Sequence, residues 1–216
     1  MSALLAFELS GPVATVALVH GGRVSAHDFT ALRGRALIPA LAHLLADAGC
    51  PKEALRGVLC GTGPGSYTGL RIAAAAARAL AFALDVPVAG VPSLHAAALD
   101  APDGEPVHLL LDAYRGEVYH AELVTHADRI EELCGPQVLT RDAARDAVPA
   151  GALLIGDPLL LDGADVRVVR DRVAPTAAQL LEVARRRGVD EDGTGFDMLP
   201  TPDPLYLRPA AYPPRA

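Results

Sequence analysis

The sequence predicts an α/β fold in two lobes, and three observations carry the prediction. Short apolar stretches bounded by glycine and proline turns alternate with alanine- and leucine-rich stretches of helical spacing. A glycine-rich loop stands between one apolar stretch and one such helix. A strand hairpin followed by strand–helix units is then stated a second time after residue 104. The chain has 216 residues, of which 51% are hydrophobic. A chain of that size buries roughly 70% of its unfolded surface and needs no covalent staple.

Residues 3–9 (ALLAFEL) form the first predicted strand, and Ser10, Gly11 and Pro12 turn the chain. Residues 13–20 alternate as a second strand. Gly21 and Gly22 make a hairpin turn into a third strand over 23–29. Leu37, Leu41, Leu44, Leu45 and Ala48 recur at helical spacing within 36–49, and Gly49 and Pro51 end that helix. Residues 55–60 are a short apolar strand. The glycine-rich loop follows and leads into a helix over 69–84. Residues 86–91 form a further strand, and Ser93 caps a helix over 94–99.

The turn at Ala101, Pro102, Asp103 and Gly104 divides the lobes, 1–104 and 105–216. Strands are predicted at 107–113 and 117–123 around the turn Tyr114, Arg115 and Gly116, with a third, short one near 129–133. A short helix at 142–147 and strands at 152–155 and 166–169 follow. Thr176 caps a helix over 177–187 that Gly188 ends. The proline-rich tail from Pro200 is expected to be extended, held by residues 205–207 and free to return to the first lobe.

Charge and composition narrow the function classes. The net charge of −7 opposes autonomous binding to nucleic acid, which is dominated by phosphate contacts. The absence of tryptophan, with only nine phenylalanines and tyrosines, argues against a stacking platform for single strands. Cys50, Cys60 and Cys134 are far apart and odd in number, the pattern of reduced thiols in a cytoplasm. The N-terminus has no basic segment of the kind that opens a signal peptide. Residues 72–84 are apolar but contain Arg78 and are too short to span a bilayer, so a buried helix is expected and no membrane is implied.

The strongest local signal is GTGPGSYTGLR at 61–71. Glycines allow close backbone approach, and a helix start offers free N–H groups with a positive dipole end. Gly63, Pro64, Gly65, Ser66, Tyr67, Thr68, Gly69 and Arg71 are therefore a candidate nucleotide, anion or interface loop. No lysine follows the glycines as a Walker A loop requires, and the spacing is not that of a dinucleotide fingerprint. A tight strand-to-helix turn is the commoner use of such a sequence.

Glu8, Asp112 and Glu117 are candidate cleft carboxylates. Glu8 ends the first strand, where it faces a cleft or stands as an exposed strand-end charge. Asp112 and Glu117 flank the turn in DAYRGEVY with Arg115 beside them, an arrangement that fits acid–base work but better suits ordinary turn salt bridges. No nucleophile is tied to them, so no catalytic residue is assigned. The seven histidines form no HxxxH or HExxH pair, so no metal set is assigned either. Arg185, Arg186 and Arg187 sit where cations favour a helix C-terminus.

Taken together, GTGPGSYTGLR, VPVAGVPSLHAAA, DAYRGEVY and the tail PLYLRP resemble the bacterial tRNA threonylcarbamoyladenosine biosynthesis protein TsaB family, most densely over residues 57–121. The resemblance implies a two-lobed actin-like (actin/Hsp70/sugar-kinase) fold with mixed sheets flanked by helices. It implies a non-catalytic subunit working with the catalytic paralogue TsaD and the ATPase TsaE. That complex moves a threonylcarbamoyl group onto the adenosine beside the tRNA anticodon. Helices 36–49 and 69–84 carry apolar faces larger than one small lobe needs, so they are expected to pair with that paralogue, or with a second copy as a homodimer when alone. Contact with tRNA is expected to be indirect, with no cofactor beyond weak nucleotide binding and a cytoplasmic location.

Two departures from the family stand. Glu8, Leu9 and Ser10 replace the usual Asp followed by Thr or Ser. Arg33, Gly34, Arg35 and Ala36 lack the His-Ser that often precedes the first helix. Two alternatives remain open at this point: an actin-like-fold peptidase or phosphotransferase, and a nucleotide-binding regulator.

Overall fold

The computed structural model describes residues 1–29 and 33–207. The end of the tail expected to be extended, 208–216, lies outside the described residues. Strands β1 (Ala3–Glu8), β2 (Ala14–His20) and β3 (Arg23–Phe29) form an antiparallel meander. Helix α1 (Arg33–Asp47) returns the chain to β4 (Leu55–Gly61), which pairs parallel with β1. Helix α2 (Tyr67–Leu84) leads to β5 (Val88–Val91), parallel to β4, and α3 (Ser93–Ala98) leaves the sheet. The first sheet therefore has the order β3-β2-β1-β4-β5.

The second sheet repeats this plan. Strands β6 (Pro106–Asp112), β7 (Glu117–Thr125) and β8 (Ile130–Thr140) form a second antiparallel meander. Helix α4 (Arg141–Ala147) follows, then β9 (Ala152–Gly156), parallel to β6, and β10 (Val166–Arg170), parallel to β9. Read from its antiparallel edge, the order is β8-β7-β6-β9-β10, matching the first sheet strand for strand. This is the expected two-lobed arrangement of mixed sheets flanked by helices.

β1 is buried along its whole length because both faces of its sheet are covered, which is why it reads as an unbroken apolar run. Leu5, Phe7, Val16 and Leu18 face Leu37, Leu41 and Leu44 of α1 and Ala73 and Ala77 of α2. Leu4, Ala6, Ala17 and Leu59 on the other face meet Leu180, Leu181 and Ala184 of helix α5 (Ala177–Arg186) and Phe196. Helix α5 thus follows the second sheet in sequence but packs on the first. Thr176 and Gln179 close a reciprocal capping box at its start, and the Thr15 hydroxyl on β2 accepts the Ala177 N–H at 2.7 Å.

Several element bounds differ from the sequence reading, those of β8 and α2 among them. β8 runs eleven residues rather than five, because a bulge opposite His120–Leu123 lets it continue along β7 past Gly135 and Pro136. Helix α2 starts at Tyr67, not 69, and its 18 residues are long and apolar enough to cross a membrane by length and composition alone. Gly69, Leu70, Ala73, Ala74, Ala77 and Ala81 are instead buried, with Ala73 and Ala77 in the core shared with β1 and β4.

Candidate functional site

The carboxyl ends of β1 and β4 meet the glycine-rich loop, and the site is built there. Glu8 is the last residue of β1 and is fully buried. It therefore faces neither an open cleft nor solvent. Its Oε1 accepts the Ser10 N–H at 2.5 Å, and its Oε2 accepts the Ser93 hydroxyl at 2.7 Å. Burial raises the Glu8 pKa, with the hydrogen bonds from Ser93 and Ser10 opposing that rise. The same Ser93 oxygen accepts the Gly63 N–H at 2.9 Å, and the Ser93 N–H returns to the Gly63 carbonyl at 3.0 Å. Ser93 thereby ties β1, the loop and the start of α3 together.

The loop glycines answer to this packing. A Cβ on Gly61 would collide with the Glu8 carboxylate, and one on Gly69 would collide with the Leu9 carbonyl. The Ser66 N–H donates to the Ser10 carbonyl at 2.8 Å, and the Thr62 N–H to the Val91 carbonyl at 2.9 Å. The Ser66 hydroxyl caps α2 by accepting the Gly69 N–H at 3.3 Å. The N–H groups of residues 62, 63, 66 and 69 are therefore committed to protein acceptors. Pro64, on a cis peptide bond, is buried with Gly61, Thr62 and Gly63. These four donors are spent inside the protein, above the buried Glu8 carboxyl group.

Only the far side of the loop meets solvent. Tyr67, Thr68 and Arg71 are exposed, with the Arg71 guanidinium 4.7 Å above the Tyr67 ring. Tyr206 of the tail lies against Tyr67 at 5.0 Å between ring centroids. The tail is held on the first lobe by Leu205 N–H to the Thr62 carbonyl at 2.8 Å, Gly90 N–H to the Pro200 carbonyl at 2.8 Å, and Arg78 to Asp203 at 2.5 Å.

Asp112 and Glu117 sit apart from this cluster, at the tip of the β6–β7 hairpin. Asp112 Oδ1 accepts the Tyr114 N–H at 2.8 Å, so it shapes the turn. Tyr114, Arg115 and Gly116 all take positive φ there, and the Ala113 N–H donates to the Glu117 carbonyl at 3.0 Å.

Sequence reasoning missed three groupings. On α3, His95 Nε2 meets Glu132 Oε1 of β8 at 2.6 Å, while the Arg187 guanidinium donates to His95 Nδ1 at 2.9 Å. This joins α3 to β8 and the end of α5, and it holds the Glu132 carboxyl below its usual range. In the second sheet, the buried rings of His108 and His120 stack at 5.4 Å between centroids, with Nδ1 and Nε2 3.1 Å apart. Burial lowers both pKa values, that of His120 to about 4.

The third grouping joins strand β3 to helix α1. Among the described residues, His27 on β3 and His43 and Asp47 on α1 bring three ligand atoms within 4.8 Å of one another. The sequence signal was the i,i+4 pair His43 and Asp47. A search for paired histidines on one helix passes over it, because the second histidine comes from a strand.

The family model of TsaD, tRNA N6-adenosine threonylcarbamoyltransferase, matches residues 33–154. A tRNA threonylcarbamoyladenosine biosynthesis protein TsaB of Haemophilus influenzae is 33% identical over 95% of this chain and 93% of its own length. An uncharacterized protein of Mycobacterium tuberculosis is 36% identical over 72% of each chain. The solved structure of YeaZ from Pseudomonas aeruginosa superposes with a TM-score of 0.78 at 29% identity, covering 96% of this chain and 100% of that one.

Proposed function

The chain belongs to the TsaB family of tRNA threonylcarbamoyladenosine biosynthesis proteins, and from that premise we propose that it is a non-catalytic partner subunit in tRNA modification. It supports a TsaD-like catalytic paralogue and a TsaE-like ATPase, which transfer a threonylcarbamoyl group to the adenosine beside the anticodon. It works in the cytoplasm, contacts tRNA only through its partners, and pairs with a second copy when alone.

The observation that carries this reading is the outer face of α1 and α2. Phe82 is 90% exposed and Ile38 is 53% exposed. Ala75, Ala79 and Ala83 are exposed on α2 with Phe82, at spacings that place them along one side of the helix. Ala42 and Ala46 continue the exposed row of Ile38 on α1. A large aromatic ring in water among small apolar residues is the composition of an interface core. The committed donors of the glycine-rich loop and the buried Glu8 support a role without chemistry. The net charge of −7 supports leaving the tRNA to another subunit.

Co-purification of the full chain with the paralogue tests the reading, together with nucleoside analysis of tRNA from cells depleted of the chain. Association and loss of the modified nucleoside are expected. No association, with modification unchanged on depletion, would overturn it.

A further inference from the structure

Beyond the partner role, we propose that His27, His43 and Asp47 form a binding site for a divalent transition-metal ion of the zinc class. The argument starts on β3. Ser25, His27 and Phe29 alternate with exposed residues along that strand, and Phe29 packs into the core beneath α1. His27 therefore lies on the α1 side of the strand. On α1, His43 and Asp47 stand one turn apart on the same face. His43 Nδ1 and His27 Nε2 reach the same oxygen, Asp47 Oδ2, at 3.0 and 3.2 Å. The two rings meet edge to face at 6.0 Å between centroids.

These separations suit coordination. Nitrogen and oxygen ligands on tetrahedral zinc, bonded at about 2.0–2.1 Å, stand about 3.3 Å from one another. Two imidazoles and one carboxylate make three protein ligands and leave a fourth position to water, the composition of an open zinc site. All three side chains reach solvent, at 41%, 76% and 49% exposure, so an ion has a path in. The imidazole pair favours zinc, nickel or copper over magnesium or calcium, which take oxygen ligands.

The end of α1 gives an independent reason for a cation. The last turn of α1 carries Asp47 and no basic residue. A carboxylate there adds negative charge to the negative end of the helix dipole, and a divalent ion offsets both. Bound between strand and helix, the ion would clip the edge strand β3 to α1.

The test is calorimetric titration of the full-length chain, free of any histidine tag, with zinc chloride. Absorption spectra with cobalt report ligand geometry. One ion per chain is expected, with visible cobalt bands of a tetrahedral site and no displacement by magnesium. His27→Ala, His43→Ala and Asp47→Asn should each weaken binding at least about tenfold, since loss of even an outer-shell partner typically costs 10–100-fold. Their circular dichroism without metal should match the parent. Absence of binding would overturn the proposal. So would an affinity unchanged in all three variants, which would leave a hydrogen-bonded cluster only.

Discussion

The Ser93 hydroxyl donates to Glu8 Oε2 at 2.7 Å across 85 positions of sequence, and this bond fixes where the glycine-rich loop lies. Its oxygen simultaneously accepts the Gly63 N–H. One side chain thus satisfies a buried acceptor and a buried donor, on two segments that local sequence does not connect.

Ser93→Ala removes both bonds at once. A buried polar group left without its partner costs about 1–3 kcal/mol, and here two are orphaned. The variant is expected to lose at least that much in urea denaturation, with an unchanged dependence on denaturant. A loss below 0.5 kcal/mol, a rough bound for surface substitutions, would mean the bond does not anchor the loop.

Glu8 gives the protein a pH dependence of one sign. Its folded pKa is raised by burial, so the unfolded chain releases this proton first as pH rises above the ordinary value. Stability from this group is present at low pH and is lost as pH rises through the folded pKa. Glu8→Gln removes that slope. Melts of the parent and the variant, compared from pH 4.5 upward, should show the variant gaining on the parent.

His108 and His120 give the opposite sign. Their folded pKa values are lowered by burial, and for His120 the His108 charge adds to the effect. The unfolded chain takes up protons near 6.5 while the folded chain resists until about 4 for His120. Stability is therefore full above pH 6.5 and falls as pH drops toward 4. Urea midpoints at pH 7.5 and pH 5 should separate less in a His108→Gln/His120→Gln variant than in the parent.

Gly69→Ala and Gly61→Ala test close approach in the loop. Each added methyl meets an occupied position, the Leu9 carbonyl in the first and the Glu8 carboxylate in the second. Overpacking of this kind costs about 1–3 kcal/mol, and Gly69→Ala should be the worse because its neighbour is backbone. Thermal melts of the two variants decide the order.

Phe82→Asp tests the pairing face. The ring is 90% exposed, so the monomer should keep its stability within about 0.5 kcal/mol. Gel filtration should show weaker self-association and weaker binding to the paralogue. An unchanged elution profile in both assays would move the interface elsewhere.

Residues 61–71 show how far the sequence reaches. Their glycines, proline and cap announced a strand-to-helix turn, and the missing lysine excluded a Walker A loop. The structure adds that Gly61 and Gly69 make room for Glu8 and Leu9, contacts that spacing cannot express. The apolar run GVLC marks Cys60 as a core residue, and it is fully buried. The extent of β8 was not legible, because a bulge breaks the period-two pattern on which strand reading depends.

The sequence by itself determined the order of strands and helices, the repeated plan of the two sheets, and the loop that marks the family. Those are local properties: the period of apolar residues states which face is buried, and turn residues state where the chain reverses. Tertiary structure alone decided that Glu8 is buried beneath Ser93, that α5 returns to the first sheet, and that His27 meets His43 and Asp47. Each of those joins segments distant in sequence, and only the packing of both sheet faces, with the strand register it enforces, sets which distant side chains touch.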